Sequence, residues 1–301
     1  MLLEVWDLSG GVRAATGVLP GLLITLFLFL IPFALLLQSR SVTFSEVRTG
    51  VDGYTIHYRI GGEGPYLLML HGFTLTGDQW MPAAAQLSAK YTVIVPDLPG
   101  HGGSSPLPGE FTFARTAELI HSLLDSLGVA QISAVGHSGG GMSLLHMAAQ
   151  QPERFLRMVL VASTPSFGET AREFIREDTF ERLDPAVQRY YTNLHPGGKA
   201  QVETMYRQYL RLAENTERID RDILENLEIP TLNAWGDRDP FFPVETAMEF
   251  YRTLPDAALW IVPWQEHTPL WEDMGGNADA TTLFPGMLEQ FLPVSQMQVL
   301  K

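Results

Sequence analysis

The sequence predicts an α/β domain, a mostly parallel sheet with helices on both faces. Three observations carry that prediction. Short apolar or alternating runs recur between helix-periodic segments over about 250 residues, the signature of strands joined through crossover helices. The run Tyr66–Leu70 is apolar throughout, as a strand buried on both faces must be. Finally, about 66 residues between the strand patterns at 157–162 and 229–235 carry no strand signal but are helical and rich in aromatics. A connection that long needs structure of its own, so a helical cap is expected at about 164–228, inserted over the carboxyl end of the sheet.

Val42–Arg48 and Tyr54–Ile60 read as strands around a turn at Gly50-Val51-Asp52-Gly53. After the buried run at 66–70, Gly77–Ala89 looks helical and Tyr91–Pro96 is again a strand. Thr112 can cap a helix in which Ala117, Ile120, Leu123, Leu124 and Leu127 keep helical spacing, and Gly128 ends it. Gln131–Val135 is a strand, Gly139–Gln150 a helix and Arg157–Ala162 a strand. Beyond the cap, strands at Ile229–Trp235 and Ala258–Val262 flank a helix at Val244–Leu254. A last helix places Phe284, Met287, Leu288 and Phe291 on one face.

Residues 1–41 form a separate segment. No charge falls between Ala14 and Leu37, and about 24 residues at about 1.5 Å each suffice to cross a bilayer core. The acidic start (Glu4, Asp7) and the lack of a small-residue exit near Leu37 favour a single-pass membrane anchor over a cleaved signal, whose product would be secreted or periplasmic. A surface helix is the third reading. Arg13 on one side and Arg40 and Arg48 on the other leave the orientation open.

The chain holds 20 Lys+Arg against 34 Asp+Glu, a net charge of −14. Residues 1–41 sum to zero, so the acidic excess sits on the domain at 42–301 and argues against nucleic acid as a partner. There is no cysteine, which excludes disulfides, thiolate catalysis and iron–sulfur clusters. No metal-ligand motif and no dinucleotide fingerprint appears, so no cofactor is expected. Nothing in the sequence fixes the oligomeric state.

Gly136-His137-Ser138-Gly139-Gly140 fits Gly-x-Ser-x-Gly between a predicted strand and a predicted helix. A sharp turn there would lift Ser138 above the sheet edge, and the following helix would aim its free N–H groups at a developing oxyanion. With this block in place the chain resembles an α/β-hydrolase-fold serine hydrolase of esterase or lipase type with a short cap. The resemblance covers about residues 42–293. It rests on ordered blocks: His71-Gly72-Phe73, Pro96–Gly102, the turn at Ser138, Gly236-Asp237-Arg238-Asp239-Pro240, and His267.

That resemblance implies a catalytic triad in the chain order Ser, acid, His. Of the eight histidines only His267 follows a late strand, which makes it the base rather than a structural loop histidine. The family pattern Gly-x-x-Asp before Pro puts the acid at Asp239, leaving Asp237 as a loop-stabilising or solvent-facing residue. The oxyanion donors implied are the backbone N–H groups of Phe73 and Gly139. Asp97 and His101 would brace the site, and Trp264 and Trp271, which flank His267, would pack beside it or touch substrate. A serine nucleophile implies an acyl-enzyme, hence ester, thioester, lactone or amide hydrolysis, with carboxylic esters, lipid-like ones among them, as the first reading. A lactonase, a C–C bond hydrolase or a cofactor-free perhydrolase would use the same triad, and a non-catalytic binding protein could keep the fold.

Overall fold

Alternation along the strands explains how one sheet serves two cores. A computed structural model describes residues 42–292, excepting 108, 215 and 216. Eight strands, β1 (Ser45–Val51), β2 (Tyr54–Gly61), β3 (Tyr66–Leu70), β4 (Thr92–Pro96), β5 (Ile132–His137), β6 (Phe155–Val161), β7 (Thr231–Gly236) and β8 (Ala257–Val262), form one sheet in the order β1-β2-β4-β3-β5-β6-β7-β8. Pairings from β4 to β8 are parallel, while β1–β2 and β2–β4 are antiparallel. This is the α/β-hydrolase fold. On β3, Leu68 and Leu70 join one core cluster and Leu67 and Met69 the other; on β6, Met158 and Leu160 oppose Val159 and Val161.

Helices α1 (Met81–Leu87), α2 (Phe113–Ser126) and α3 (Gly139–Gln150) follow β3, β4 and β5. Ala117, Ile120 and Leu124 of α2 pack with Leu144 and Leu145 of α3 on the first face, whereas Ala84 and Leu87 of α1 lie on the second. Each fully buried leucine contributes about 1.5–3 kcal/mol. Thr112 accepts a hydrogen bond from the Arg115 N–H at 3.2 Å and so caps α2. Gly128, just past the end of α2, has φ +68°, which its missing side chain permits.

The segment expected as one helix over 77–89 is a 3-10 turn, Gly77–Trp80, followed by α1. Pro82 explains the break, because it has no N–H to donate and fits only the first turn of a helix. The first strand starts at Ser45, three residues later than its sequence pattern, and runs through Val51. A two-residue turn at Asp52 and Gly53, with φ of 49° and 83°, then reverses the chain.

Between β6 and β7 lie four helices, α4 (Glu169–Glu177), α5 (Pro185–Leu194), α6 (Gly198–Glu214) and α7 (Arg221–Glu225). With the 3-10 turn at Phe180–Arg182 they carry a small core of their own, Phe180, Val202, Met205 and Tyr206. Helices α8 (Val244–Thr253) and α9 (Ala278–Phe291) complete the layers, and α9 continues through Pro285. The proposed membrane span at 14–37 lies outside the described residues. Among the described residues no helix is long and apolar enough to cross a membrane.

Candidate active site

The turn at Ser138 follows from close backbone approach. A Cβ on Gly136 would lie 2.7 Å from the Gly141 backbone, and one on Gly140 would collide with the carbonyl oxygens of Leu70 and His71. Strand β5 can therefore meet α3 only where these residues are glycine. Ser138 itself takes φ 49°, a strained conformation for a residue with a side chain. Its N–H donates to the Val161 carbonyl at 2.9 Å, and the Ser163 hydroxyl donates to the Ser138 carbonyl at 2.9 Å. The strain is thus held from β6.

Ser138, His267 and Asp239 come together. Ser138 Oγ lies 2.8 Å from His267 Nε2, and His267 Nδ1 lies 2.7 Å from Asp239 Oδ2. The second carboxylate oxygen of Asp239 accepts the N–H groups of Phe241 at 2.8 Å and Phe242 at 3.0 Å. A buried carboxylate fixed by two amides presents one oxygen to the imidazole, which sets its tautomer with Nδ1–H donating and Nε2 free to accept from the serine. Asp237 instead accepts the Gln265 N–H at 3.2 Å and so ties the β7 loop to the loop that carries His267.

Phe73 and Gly139 are adjacent: a Cβ on Gly139 would lie 3.5 Å from the Phe73 amide nitrogen. Neither amide donates to a described protein group, and Gly139 opens α3, whose first N–H groups have no partner within the helix. The two donors are placed for a negatively charged oxygen beside Ser138.

Asp97 and His101 brace this arrangement from behind. Asp97 accepts from the His57 ring at 2.7 Å, the Gly77 N–H at 2.9 Å and the Gly103 N–H at 2.8 Å. His101 accepts the Thr74 N–H at 3.2 Å and donates to the Pro99 carbonyl. His71 donates to the Gly72 carbonyl and accepts the Leu98 N–H at 2.9 Å, and burial lowers its pKa to about 4. Burial likewise lowers His101 and His137, so these rings stay neutral and act as fixed donor–acceptor spacers.

Several positioning groups carry no sequence signal. The Gln79 side chain accepts the Gly72 N–H at 2.9 Å and donates to His137 Nδ1 at 2.9 Å; His137 in turn donates to the His267 carbonyl at 3.0 Å. One glutamine thus links the Phe73 loop to the His267 loop. From the cap, His195 donates to the Thr74 carbonyl at 2.9 Å and accepts the Gly102 N–H at 3.0 Å. Trp271 packs against His137, with ring centroids 4.6 Å apart, and donates to the Gln79 carbonyl. Trp264 departs from expectation: it is 70% exposed, at a backbone position with φ 59°.

Above Ser138 lies a cavity of about 170 Å³, walled by Phe73, Tyr191, Tyr206, Tyr209 and Phe241. Its described lining includes no lysine or arginine, but does include Asp178. No cluster of metal-ligating side chains occurs among the described residues.

The family model for the alpha/beta hydrolase fold matches residues 65–195. The chain is 28% identical over 238 residues to the pimeloyl-[acyl-carrier protein] methyl ester esterase of Vibrio vulnificus, covering 71% of this chain and 91% of that one. It is 25% identical over 271 residues to the 2-hydroxy-6-oxo-6-phenylhexa-2,4-dienoate hydrolase of Burkholderia cepacia, covering 80% and 93%. Among solved structures, a membrane phospholipase A described as a bacterial virulence factor superposes with a TM-score of 0.65 at 25% identity, covering 90% of this chain and 96% of its own. The domain therefore has the α/β-hydrolase fold, and its relatives include esterases and C–C bond hydrolases.

Proposed function

We propose that this protein is a carboxylic-ester hydrolase that works through an acyl-enzyme on Ser138. The observation that carries the reading is the unbroken relay Ser138–His267–Asp239 at 2.8 and 2.7 Å, opening onto the cavity. His267 Nε2 takes the proton as Ser138 Oγ attacks the ester carbonyl, and the Phe73 and Gly139 amides hold the oxyanion. His267 then protonates the departing alcohol, and water, activated by the same imidazole, releases the acid.

The cavity supports neutral esters over the C–C bond reading. The Burkholderia cepacia relative is named for a dienoate, and a carboxylate brought into this cavity would meet Asp178 with no described lysine or arginine in the lining to offset its charge. The apolar span at 14–37 supports a further proposal, a single-pass anchor that keeps the domain beside a membrane and its lipid-like esters. The membrane phospholipase A among the structural neighbours is consistent with it.

A substrate panel tests the activity: neutral p-nitrophenyl esters of increasing chain length, a lactone, a peracid-forming assay and a dienoate C–C substrate. Within this panel the esters should give the highest kcat/KM. Faster turnover of the dienoate would replace the ester reading. For the anchor, the full chain should stay in the membrane fraction through an alkaline carbonate wash, whereas a chain starting at residue 42 should not. Release of the full chain by the wash would rule the anchor out.

A further inference from the structure

Asp178 is an odd residue for stability alone. It stands at the C-terminal end of α4, where the helix dipole already places negative charge. Its carboxylate forms no hydrogen bond or ion pair with a described residue, and burial pushes its pKa up. It lines the cavity above Ser138 together with Tyr191, Tyr206 and Tyr209. All three hydroxyls have raised pKa values, from burial first and also from the Asp178 charge. An unpaired carboxylate among aromatic rings repels an anionic ligand and admits a neutral one without attracting it. It suits a cation, which gains from the charge and from the ring faces together.

Helix α4 also reaches the His267 side of the cavity. Phe174, one turn before Asp178 on α4, packs on Phe241 with ring centroids 4.1 Å apart, and Phe241 packs on His267 at 4.5 Å. The last turn of α4, which ends at Asp178, therefore borders the side of the cavity where His267 would protonate a leaving alcohol. The domain's acidic excess adds a field that draws cations toward it.

We propose that Asp178, with Tyr191, Tyr206 and Tyr209, is a specificity site for esters whose alcohol carries a quaternary ammonium group. The proposal rests on the ester-hydrolase reading above and names the substrate class of that same site.

The test compares butyrylcholine with 3,3-dimethylbutyl butyrate, which has the same shape without the charge. In the wild-type protein kcat/KM should favour the cationic ester by about 10-fold or more, the scale of a desolvated cation–π contact plus a charge pair. Asp178→Asn should bring that ratio to within about 3-fold, while Glu173→Gln, an exposed acid on the same helix, should leave the ratio in place. A wild-type ratio near one, or equal ratios in wild type and Asp178→Asn, overturns the proposal and leaves the esterase reading standing. If neither ester is turned over and Ser138 takes up no acyl group, the esterase reading fails instead. Calorimetry with choline and Ser138→Ala then decides the site. Binding that disappears with added Asp178→Asn supports the site, and no binding to Ser138→Ala overturns it.

Discussion

Two aspartate–histidine pairs in this domain have the same geometry and different surroundings. His57 Nδ1 lies 2.7 Å from Asp97 Oδ2, and His267 Nδ1 lies 2.7 Å from Asp239 Oδ2. Each carboxylate also accepts two backbone amides, Gly77 and Gly103 in one case and Phe241 and Phe242 in the other. The difference is at the far ring nitrogen. His267 meets the Ser138 hydroxyl beside two unengaged amides and a cavity, whereas the His57 pair is walled in by the loop it holds together. A histidine oriented by a carboxylate is therefore a structural brace until a nucleophile and an open space are added.

Removing that nucleophile should have the largest effect. Ser138→Ala and His267→Ala should each lower kcat/KM on a neutral ester by about 10⁴-fold or more, with the thermal midpoint nearly unchanged. Loss of less than tenfold in Ser138→Ala would erase the distinction between the pairs.

The two aspartates should then separate. Asp239→Asn should reduce kcat by about 10³- to 10⁴-fold, because an amide cannot stabilise the imidazolium. Asp97→Asn should leave turnover per folded molecule within several-fold but cost about 2–4 kcal/mol in urea unfolding, since it disturbs a buried hub of three hydrogen bonds. Asp237→Asn should fall below both in its effect on kcat. A catalytic loss for Asp97→Asn as large as that for Asp239→Asn would mean that the brace takes part in the chemistry.

Between the two pairs sits the Gln79–His137 link. Gln79→Ala should lower kcat by about tenfold with little change in KM, because it loosens both the oxyanion loop and the His267 loop without touching the cavity. A change confined to KM would place Gln79 in substrate binding instead.

A pH-dependent effect on stability alone separates the neutral spacers from both pairs. His71 is held neutral in the fold down to about pH 4, while the unfolded chain takes up its proton near the ordinary value of 6.5. The unfolded state therefore binds more protons between these values. The contribution is complete above pH 6.5 and is lost as pH falls toward about 4, by roughly 3 kcal/mol for this group. His71→Gln should flatten the fall in stability across that window. An unchanged slope would show that the acid sensitivity arises elsewhere.

Much of this was legible along the chain, for local reasons. Glycine spacing marks the turn at Ser138 because only backbone closeness matters there. Chain order separates His267 from seven other histidines, and the Gly-x-x-Asp-Pro pattern separates Asp239 from Asp237. The family pattern also points to Asp97 and His101 as braces, but the links through Gln79 and His195 are not legible. Gln79 meets His137 across 58 residues, and His195 reaches Thr74 across 121, so these bonds exist only once the sheet has assembled. Trp264 is exposed rather than packed, because closeness to His267 in sequence does not fix burial in a loop. Asp178 sits in a segment whose helical pattern says nothing about which cavity it borders.

The central claim is that Ser138, activated by His267, is the group that becomes acylated. Intact mass and peptide mapping after brief exposure to a fluorophosphonate test it most directly. The account predicts a single adduct on the peptide containing Ser138, absent in Ser138→Ala, strongly slowed in His267→Ala and undiminished in folded Asp97→Asn. An adduct on any other residue, or labelling of Ser138 at the wild-type rate in His267→Ala, would contradict it.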